Sequence, residues 1–433
     1  MLSASTIYVA AQSTTIYIDA KSTNDSLSCG TDITTPCNSL KSGIAAYNNL
    51  KVNTPLVLSM NQGNYGSPNN TDLNLYGMNV AFQQTTGAIQ TTFIDLSQNS
   101  QFITVVDPVG GAAPTVSTTT SIAMNGIYVA NGNATNGGFI QISTNTNVSL
   151  SIVNCEIKSH TASQNGGAIY VQSEANYNNV QINIQQSQIG ANKAAIGAFI
   201  FTSNNTQLYI NGTSIFLNNA TSSSVIALTG GNFTFNQITY NGNNILAGSH
   251  FVFNQVQAAS SVSQSTFNEN QMATPNKGPI SSLLSASFSV VTFNNNVFTN
   301  TLNLDVIYAN LSLVNINYCN FTLGISSESI VHQDTSALSI QNCLFSNNTV
   351  SQSVVYGYHS NQLEVSNCTF ANNTFSSSNG SYEIVVNQVQ TVTIKNNNFE
   401  RSTSESSASI GCTSSAITVM NNTNALLFFI KID

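Results

Sequence analysis

The side chains best suited to chemistry in this sequence are a few acids and one histidine in its last third. His332 lies within four residues of Glu328 and Asp334, and an imidazole beside carboxylates can serve acid–base catalysis or bind a metal. A repeat described below aligns His332 with the following residues: Tyr308, Tyr356, Val386 and Cys412. Because that column is mostly aromatic or apolar, we interpret His332 as a packed histidine.

Polysaccharide cleavage would instead need two carboxylates about 5 to 9.5 Å apart. The same alignment places Asp305 and Glu383 in one column that also contains Ser329, Ser353 and Ser409. The two carboxylates are then three repeats apart, which is roughly 14 Å at the spacing of neighbouring strands. The only arginine is Arg401. We therefore expect no catalytic residues, no metal site and no cofactor, and we expect that the protein is not an enzyme.

Two cysteines near the N-terminus predict a local disulfide. Cys29 and Cys37 flank a loop rich in Ser, Thr, Asp and Pro. Asp25 and Asp32 in this region are candidate calcium ligands, but loops are commonly acidic without binding an ion. The odd total of seven cysteines argues against a full disulfide framework. Neither C-x-x-C nor the Cys/His spacing of zinc sites occurs.

The composition excludes two classes of partner. Charged residues make up 6% of the chain and the net charge is −8, so no basic stripe exists that could neutralise phosphates. We therefore expect no nucleic-acid partner. No run approaches the roughly 20 apolar residues that a membrane helix needs, so we expect no membrane span.

A degenerate repeat organises most of the sequence. Its clearest copies are residues 338–348 and 363–373, which share apolar-x-apolar-x-Asn-Cys-x-Phe-x-x-Asn. The anchor, which is the Phe position, recurs every 23 to 32 residues, as in stacked repeats. The ten anchors are Ile157, Ile189, Ile215, Tyr240, Phe267, Phe298, Phe321, Phe345, Phe370 and Phe399.

The period inside each repeat selects the architecture. Apolar residues alternate at a period of two, as in Val392-Thr-Ile394, which is typical of strands. Three short strands and three corners use roughly 25 residues. We therefore predict an all-β fold, a right-handed parallel β-helix of about 12 three-strand coils stacked at about 4.8 Å. Residues 1–52 are expected to form a strand, the Cys loop and a short capping helix that carries Leu40, Ile44 and Tyr47, and residues 53–433 the solenoid.

Polar side chains at fixed places in the repeat predict ladders between coils. Three residues before the anchor, eight of the ten positions are amides, and stacked amides can hydrogen-bond from coil to coil. We predict an inner ladder at Asn154, Asn295, Asn342, Asn367 and Asn396. A second, looser ladder lies three residues after the anchor, at Asn192, Asn218, Asn243, Asn270, Asn348 and Asn373. The small residues beside the first ladder, including Cys155, are expected to fill a crowded corner.

The N-terminal cap together with the Asn ladders resembles the pectin-lyase-like right-handed β-helix proteins over nearly the whole chain. More narrowly, Gly166-Gly-Ala-Ile169, Phe345-Ser-Asn-Asn348 and Phe370-Ala-Asn-Asn373 look like the GGA(I/L/V) and FxxN repeats of polymorphic outer-membrane proteins. The narrower resemblance implies an adhesin or surface protein, while many members of the wider superfamily are polysaccharide lyases or glycosidases. Of the glycosidase signatures, Asp-Asp, Gly-His-Gly and Arg-Ile-Lys are absent, and Asn-Thr-Asp occurs once, as Asn70-Thr71-Asp72, without the other three.

Asn-x-Ser/Thr acceptors recur along the chain, and those that face water are candidates for glycosylation. The candidates are Asn133, Asn204, Asn211, Asn232, Asn310, Asn320, Asn347, Asn372, Asn379 and Asn421. Asn367 also matches the motif but is assigned to the inner ladder. We therefore expect a glycan on Asn372 and none on Asn367 if the chain passes through a eukaryotic secretory route.

Two features suggest self-association. Ile307, Val331, Val355 and Val385 follow inward-facing neighbours, so they form either an outward apolar stripe or a stripe covered by turns. The C-terminal strand with Leu427 and Phe429 has no lid, which predicts pairing with another subunit or a longer chain. These features predict a secreted or cell-surface structural and adhesive glycoprotein that binds surface carbohydrate or stacks head to tail into fibres. The alternative is a polysaccharide lyase, a glycosidase or an inactive binding relative.

Overall fold

The chain is wound into a parallel β-helix with very little helix, which confirms the predicted fold class of about 12 coils. The computed structural model describes residues 12–66, 68–85, 91–98, 100–107, 119–172, 180–203, 206–256, 260–272, 281–326, 328–376, 382–400, 408–413, 415–425 and 427–429. All the strand pairs found there are parallel, and each strand pairs with the equivalent strand of the next coil.

Three long sheets form the walls of the solenoid. Sheet A contains 15 strands: Thr14–Ile18, Leu56–Met60, Asn79–Gln84, Thr119–Asn125, Asn147–Val153, Val180–Gln185, Thr206–Asn211, Asn232–Asn236, Ser260–Ser263, Val290–Asn294, Leu313–Asn317, Ala337–Gln341, Gln362–Ser366, Thr391–Lys395 and Ile417–Met420. Sheet B contains 13: Gly63–Gly66, Thr92–Asp95, Tyr128–Ala130, Glu156–Lys158, Gln188–Gly190, Ser214–Phe216, Thr239–Asn241, Thr266–Asn268, Val297–Thr299, Asn320–Thr322, Leu344–Ser346, Thr369–Ala371 and Asn398–Phe399.

Sheet C contains 14 strands: Leu73–Asn74, Ile103–Val106, Ile140–Ser143, Ile169–Gln172, Ile200–Ser203, Ile226–Thr229, Phe251–Asn254, Ser282–Ser287, Asp305–Asn310, Ser329–Asp334, Ser353–Tyr358, Tyr382–Asn387, Ala408–Thr413 and Leu427–Phe429. Short strands add two small sheets between sheets B and C. They are Asn133–Asn136, Thr161–Asn165, Lys193–Ala194, Asn219–Ala220, Asn244–Ile245 and Gln271–Met272, then Ile325–Ser326, Thr349–Val350 and Thr374–Phe375.

The helix Leu40–Leu50 covers the first coil, as predicted. It begins at Ser39, which forms a capping box with Ser42, and it ends at Lys51 in the left-handed conformation. Leu40 and Ala46 are buried against the core. The apolar face of the helix therefore closes the end of the hydrophobic interior, where an open strand edge would otherwise meet water.

The predicted anchors align throughout, since each of the ten pairs with the next across sheet B. From Phe267 to Phe399 the anchor rings stack inside the solenoid with centroids 4.7 to 5.0 Å apart. That distance matches the spacing of neighbouring strands. The stack therefore fixes the register between coils with a large buried apolar surface.

The buried asparagine ladder lies three residues after the anchor. Asn218 donates from Nδ2 to Asn243 Oδ1 at 2.9 Å, and Asn192 donates likewise to Asn218 at 2.9 Å. Each Oδ1 also accepts the backbone N–H of the coil before it, as from Asn192 to Asn218 at 3.1 Å. The amides therefore satisfy buried backbone donors at a corner where no strand partner is available.

The prediction of an inner ladder at Asn154, Asn295, Asn342, Asn367 and Asn396 is wrong. Asn295, Asn367 and Asn396 are exposed, and Asn154 and Asn342 are half-buried. All five have a positive φ between 52° and 56°. Asn is favoured there because it adopts the left-handed conformation more readily than most residues, and the corner requires that conformation. Only Asn396 and Asn367 share a hydrogen bond, of 3.3 Å, at the surface.

This correction changes the basis of the glycosylation prediction. Asn367 and Asn372 are both exposed, so burial gives no reason for a glycan to be absent from Asn367. Among the other candidates, Asn133, Asn347 and Asn421 are exposed, whereas Asn211, Asn232, Asn310 and Asn320 are half-buried. Asn204 and Asn379 lie outside the described residues.

Of the two alternatives for the apolar stripe, the outward-facing one is wrong at three of its four positions. Ile307, Val331 and Val355 are fully buried, as are their predecessors such as Ile330, while Val385 is half-buried. Two successive residues enter the core because strict alternation is lost there, since the strand pairing skips Ile330 and Val354 between Ser329↔Ser353 and Val331↔Val355. Val385 also belongs to another column, since Val355 pairs with Ile384. Leu427 and Phe429 lie on a strand that pairs with Ile410–Cys412.

In the described part of the chain, no helix has both the length and the apolar character needed to cross a membrane.

We predict that Asn218→Ala lowers the free energy of unfolding by about 2 to 4 kcal/mol, since it leaves the buried N–H of Asn192 without an acceptor. Chemical denaturation followed by circular dichroism measures the change. The matched control is Asn367→Gly at the exposed left-handed corner, where glycine is well tolerated and the change should stay within about 1 kcal/mol. A larger effect at Asn367 than at Asn218 would contradict this assignment of the ladders.

Candidate functional site

A groove of about 880 Å³ lies on the outer face of sheet A. It crosses five consecutive strands, from Thr119–Asn125 to Asn232–Asn236. Five strands span about 19 Å along the axis, and the volume is within the usual range of ligand sites. The groove is therefore long enough for an extended ligand that lies along the solenoid.

Neutral side chains, most of them polar, line this groove in columns set by the strand register. The first column is Ser121, Ser149, Gln181, Gln207 and Asn232. The second is Ala123, Ser151, Asn183, Tyr209 and Thr234. No lining residue is charged. These amides and hydroxyls can both donate and accept hydrogen bonds.

The core holds these columns in place. Along each strand the residues between the polar ones, such as Leu150, Ile182 and Leu208, are buried in the hydrophobic interior. Gln181, Gln207 and Tyr209 are exposed. Within the described residues, the side chains of Gln181 and Gln207 make no hydrogen bond to the protein, so their polar groups are free to bind a ligand.

A second cluster brings together Asp305, Glu328 and His332 on neighbouring coils of sheet C. His332 Nδ1 lies 3.5 Å from Asp305 Oδ2 and 3.5 Å from Glu328 Oε2. Asp305 and His332 are buried, whereas Glu328 is partly exposed. The sequence paired His332 with Glu328 and Asp334. The structure keeps Glu328 but places Asp305 in the cluster, and Asp334 accepts instead from Thr335 Oγ1 at 2.9 Å.

The charged groups in this cluster shift one another's pKa values. Burial disfavours the charged form of His332, but the two carboxylates outweigh burial and raise its pKa to about 9. Burial raises the pKa of Asp305, and contact with His332 lowers the pKa of Glu328. His332 also lies between the rings of Tyr308 and Tyr356, with centroids 5.3 and 5.0 Å away. The predicted alignment of Val386 and Cys412 with His332 is wrong. His332 pairs with Tyr356, and Tyr356 pairs in turn with Val385.

Glu383 is isolated from this cluster. The strand register places Tyr382, not Glu383, in the column of Ser353, so the predicted alignment of Asp305 with Glu383 is off by one residue. Glu383 is buried beside the asparagine ladder, where Asn373 Nδ2 donates to Oε2 at 3.1 Å. Burial raises the pKa of Glu383 to about 8. Its carboxyl is therefore largely neutral at pH 7.

The N-terminal loop contains the Cys29–Cys37 disulfide. In the same loop, Asp32 Oδ1 accepts from Thr34 N and Thr34 Oγ1, both at 2.7 Å, and these hydrogen bonds lower the Asp32 pKa. Among the described residues, Asp25 and Asp32 do not belong to a group spaced to hold a metal ion. The remaining five cysteines are buried as free thiols.

Sequence reasoning missed the groove residues, including Gln181 and Tyr209. A signal was available, because alternate positions of consecutive sheet A strands are neutral and polar. That signal is hard to separate from ordinary surface alternation until the register shows which residues are neighbours.

The three stacked sheets define a parallel β-helix protein. No protein-family model matches the chain, and no curated protein matches it. Solved structures that resemble it include a rhamnogalacturonan lyase, at 12% identity and a TM-score of 0.27, covering 94% of this chain and 87% of the lyase.

Two others are the mannuronan C-5 epimerase AlgE6 A-module of Azotobacter vinelandii and the surface adhesin PfbA of Streptococcus pneumoniae. The epimerase module is 12% identical with a TM-score of 0.30, covering 91% of this chain and 95% of its own. PfbA is 11% identical with a TM-score of 0.36, and the match covers 86% of this chain and 89% of PfbA. Likeness at this level gives no information about activity.

We predict that Glu383→Gln stabilises the protein at pH 8 by on the order of 4 kcal/mol and has little effect near pH 4.5. The folded-state pKa of about 8 lies above the ordinary 4.5, so the folded state loses stability as pH rises through this window, and Gln removes that loss. Urea unfolding between pH 4.5 and 8.5 measures it.

The control is Glu364→Gln, which removes a partly exposed carboxylate paired with Lys395 Nζ at 3.0 Å. That ion pair should contribute less than about 1 kcal/mol to the free energy of unfolding, so Glu364→Gln should not stabilise the protein at pH 8. Parallel stability curves for Glu383→Gln and the parent between pH 4.5 and 8 would contradict the assigned titration.

Proposed function

We propose that this protein is a secreted or cell-surface β-helix protein with an adhesive role, and that its groove over sheet A binds neutral carbohydrate. The observation that carries the proposal is the uncharged lining of the groove, in which amides and hydroxyls from five coils lie beside apolar groups such as Ala123 and Val153. Sugar hydroxyls both donate and accept hydrogen bonds, so amides and hydroxyls suit them. An exposed tyrosine, Tyr209, offers a flat apolar face with a polar tip.

The charge of the protein supports a neutral ligand over an acidic one. The net charge is −8, and no lysine or arginine lines the groove. An acidic polysaccharide would therefore be repelled at low salt and would find no cation to pair with. The lining groups are also those that bind a sugar rather than those that transfer protons in glycoside hydrolysis, which uses paired carboxylates.

The disulfide supports a location outside the cytosol. Cys29 and Cys37 are joined in the folded protein, and disulfides form and persist mainly in oxidising compartments outside the cytosol. The exposed acceptors Asn133, Asn347 and Asn372 would then be available for glycosylation in a eukaryotic secretory route.

The test is a binding measurement on arrays of neutral and acidic oligosaccharides, followed by calorimetry on the best ligand. We expect binding to neutral glycans, and we expect Tyr209→Ala or Gln181→Ala to weaken it at least tenfold. The matched control is Tyr318→Ala, which removes a tyrosine exposed at a corner outside the groove. Failure to bind any neutral glycan, or equal loss in the control, would refute the proposal. Release of reducing or unsaturated sugars would favour the enzymatic alternative.

Head-to-tail association of β-helices into fibres stays a prediction, because a contact between unlike ends that does not close into a ring continues into a filament. Negative-stain electron microscopy at high protein concentration should then show fibres whose length grows with concentration. Monomers alone under those conditions would contradict it.

A further inference from the structure

We infer that Asp305, Glu328 and His332 form a binding site for a divalent transition-metal ion, with zinc the best fit. The site lies at the beginning of two neighbouring strands of sheet C. Asp305 starts one strand, Glu328 precedes the strand of the next coil, and His332 lies inside that strand. None of these residues belongs to the groove, so the inference does not depend on the proposed function.

The distances fit a metal ion. The three candidate ligand atoms all lie within 4.8 Å of one another, and His332 Nδ1 is 3.5 Å from one oxygen of each carboxylate. Zinc binds nitrogen and oxygen at about 2.0 to 2.2 Å in a tetrahedron, which places ligand atoms roughly 3.4 Å apart. An ion can therefore contact all three atoms with little movement.

The same distances are long for hydrogen bonds between a protonated histidine and two carboxylates. Charge-assisted hydrogen bonds between nitrogen and oxygen are usually about 2.7 to 2.9 Å long. Asp305 Oδ2 and His332 Nδ1 are both buried and make no hydrogen bond, and the ion pair between them, at 3.5 Å, is too long to replace one. Leaving a buried polar atom unsatisfied costs about 1 to 3 kcal/mol. Two such atoms facing each other across 3.5 Å point to a bound cation between them.

The other oxygen of Asp305 is already held in place. Oδ1 accepts from Ser326 Oγ at 2.5 Å and from the backbone N–H of Ser329 at 3.1 Å. Those two bonds turn Oδ2 toward His332. Metal-binding carboxylates are commonly oriented by hydrogen bonds of this kind.

The aromatic neighbours shield the site from two sides. The rings of Tyr308 and Tyr356 meet the His332 ring edge to face, so the imidazole is held in one plane. Access to solvent remains along Glu328, whose side chain is 38% exposed. A water molecule from that side can complete four-coordination. Mixed nitrogen and oxygen ligands favour zinc over calcium or magnesium, which prefer oxygen ligands alone.

The experiment titrates zinc chloride into the chelator-treated full-length protein by calorimetry, with manganese and calcium chloride as comparators. We expect one zinc per chain and at least tenfold weaker binding of calcium. Cobalt(II) should give a visible absorption spectrum typical of four-coordination. No saturable zinc binding, or calcium bound as tightly as zinc, would overturn the inference.

Variants locate the ion. His332→Gln and Glu328→Gln should each weaken zinc binding at least 100-fold, and Glu328→Gln keeps the fold because its side chain is partly exposed. The matched control is His359→Gln, which removes an exposed histidine on the next coil and should leave the affinity unchanged. Unchanged zinc binding in Glu328→Gln and His332→Gln, or loss in His359→Gln, would overturn the assignment. Glycan binding should be the same with and without zinc.

Discussion

The whole structure depends on the need to satisfy buried backbone groups at the corners between strands. Along each wall the strands satisfy one another, because every coil pairs with the next. At a corner the chain bends away from that pattern and its N–H groups point at no strand. Side chains of the following coil supply the missing acceptors. Asn243 Oδ1, for example, accepts the backbone N–H of Asn218 at 2.9 Å. Without such acceptors, each buried corner would carry an unpaired donor in every coil.

Two further kinds of contact lock the coils at one spacing. The anchor phenylalanines stack at nearly the distance between strands, so burial of their rings and backbone pairing favour the same register. Serines serve another corner in the same way, since Ser312 N donates to Ser336 Oγ at 3.0 Å. A slip of one coil relative to the next would lose both the ring stack and the side-chain acceptors. The solenoid is therefore a rigid support for whatever its outer faces carry.

The outer faces are free to vary because the interior and the corners hold the fold. On sheet A this freedom produces a neutral polar groove over five coils. On sheet C it allows an acid, a second acid and a histidine from adjacent coils to meet beside two tyrosines. The groove combines residues of five coils, and the cluster brings Asp305 of one coil to Glu328 and His332 of the next. Their geometry follows directly from the register.

The sequence by itself determined the parallel β-helix, the capping helix and the alignment of all ten anchors, because apolar alternation and aromatic anchors are local and periodic. It also predicted that asparagine recurs at two corners. Only the tertiary structure decided which corner is buried: Asn367 lies outside and Asn218 inside, since Asn367 itself takes the left-handed conformation, whereas at the other corner Leu217 takes it and Asn218 follows. At the start of a sheet C strand, loss of alternation buries Val331 beside Ile330, and the register there brings Asp305 rather than Asp334 to His332. A sequence pattern records spacing along the chain, whereas these contacts depend on a shift of one residue between coils.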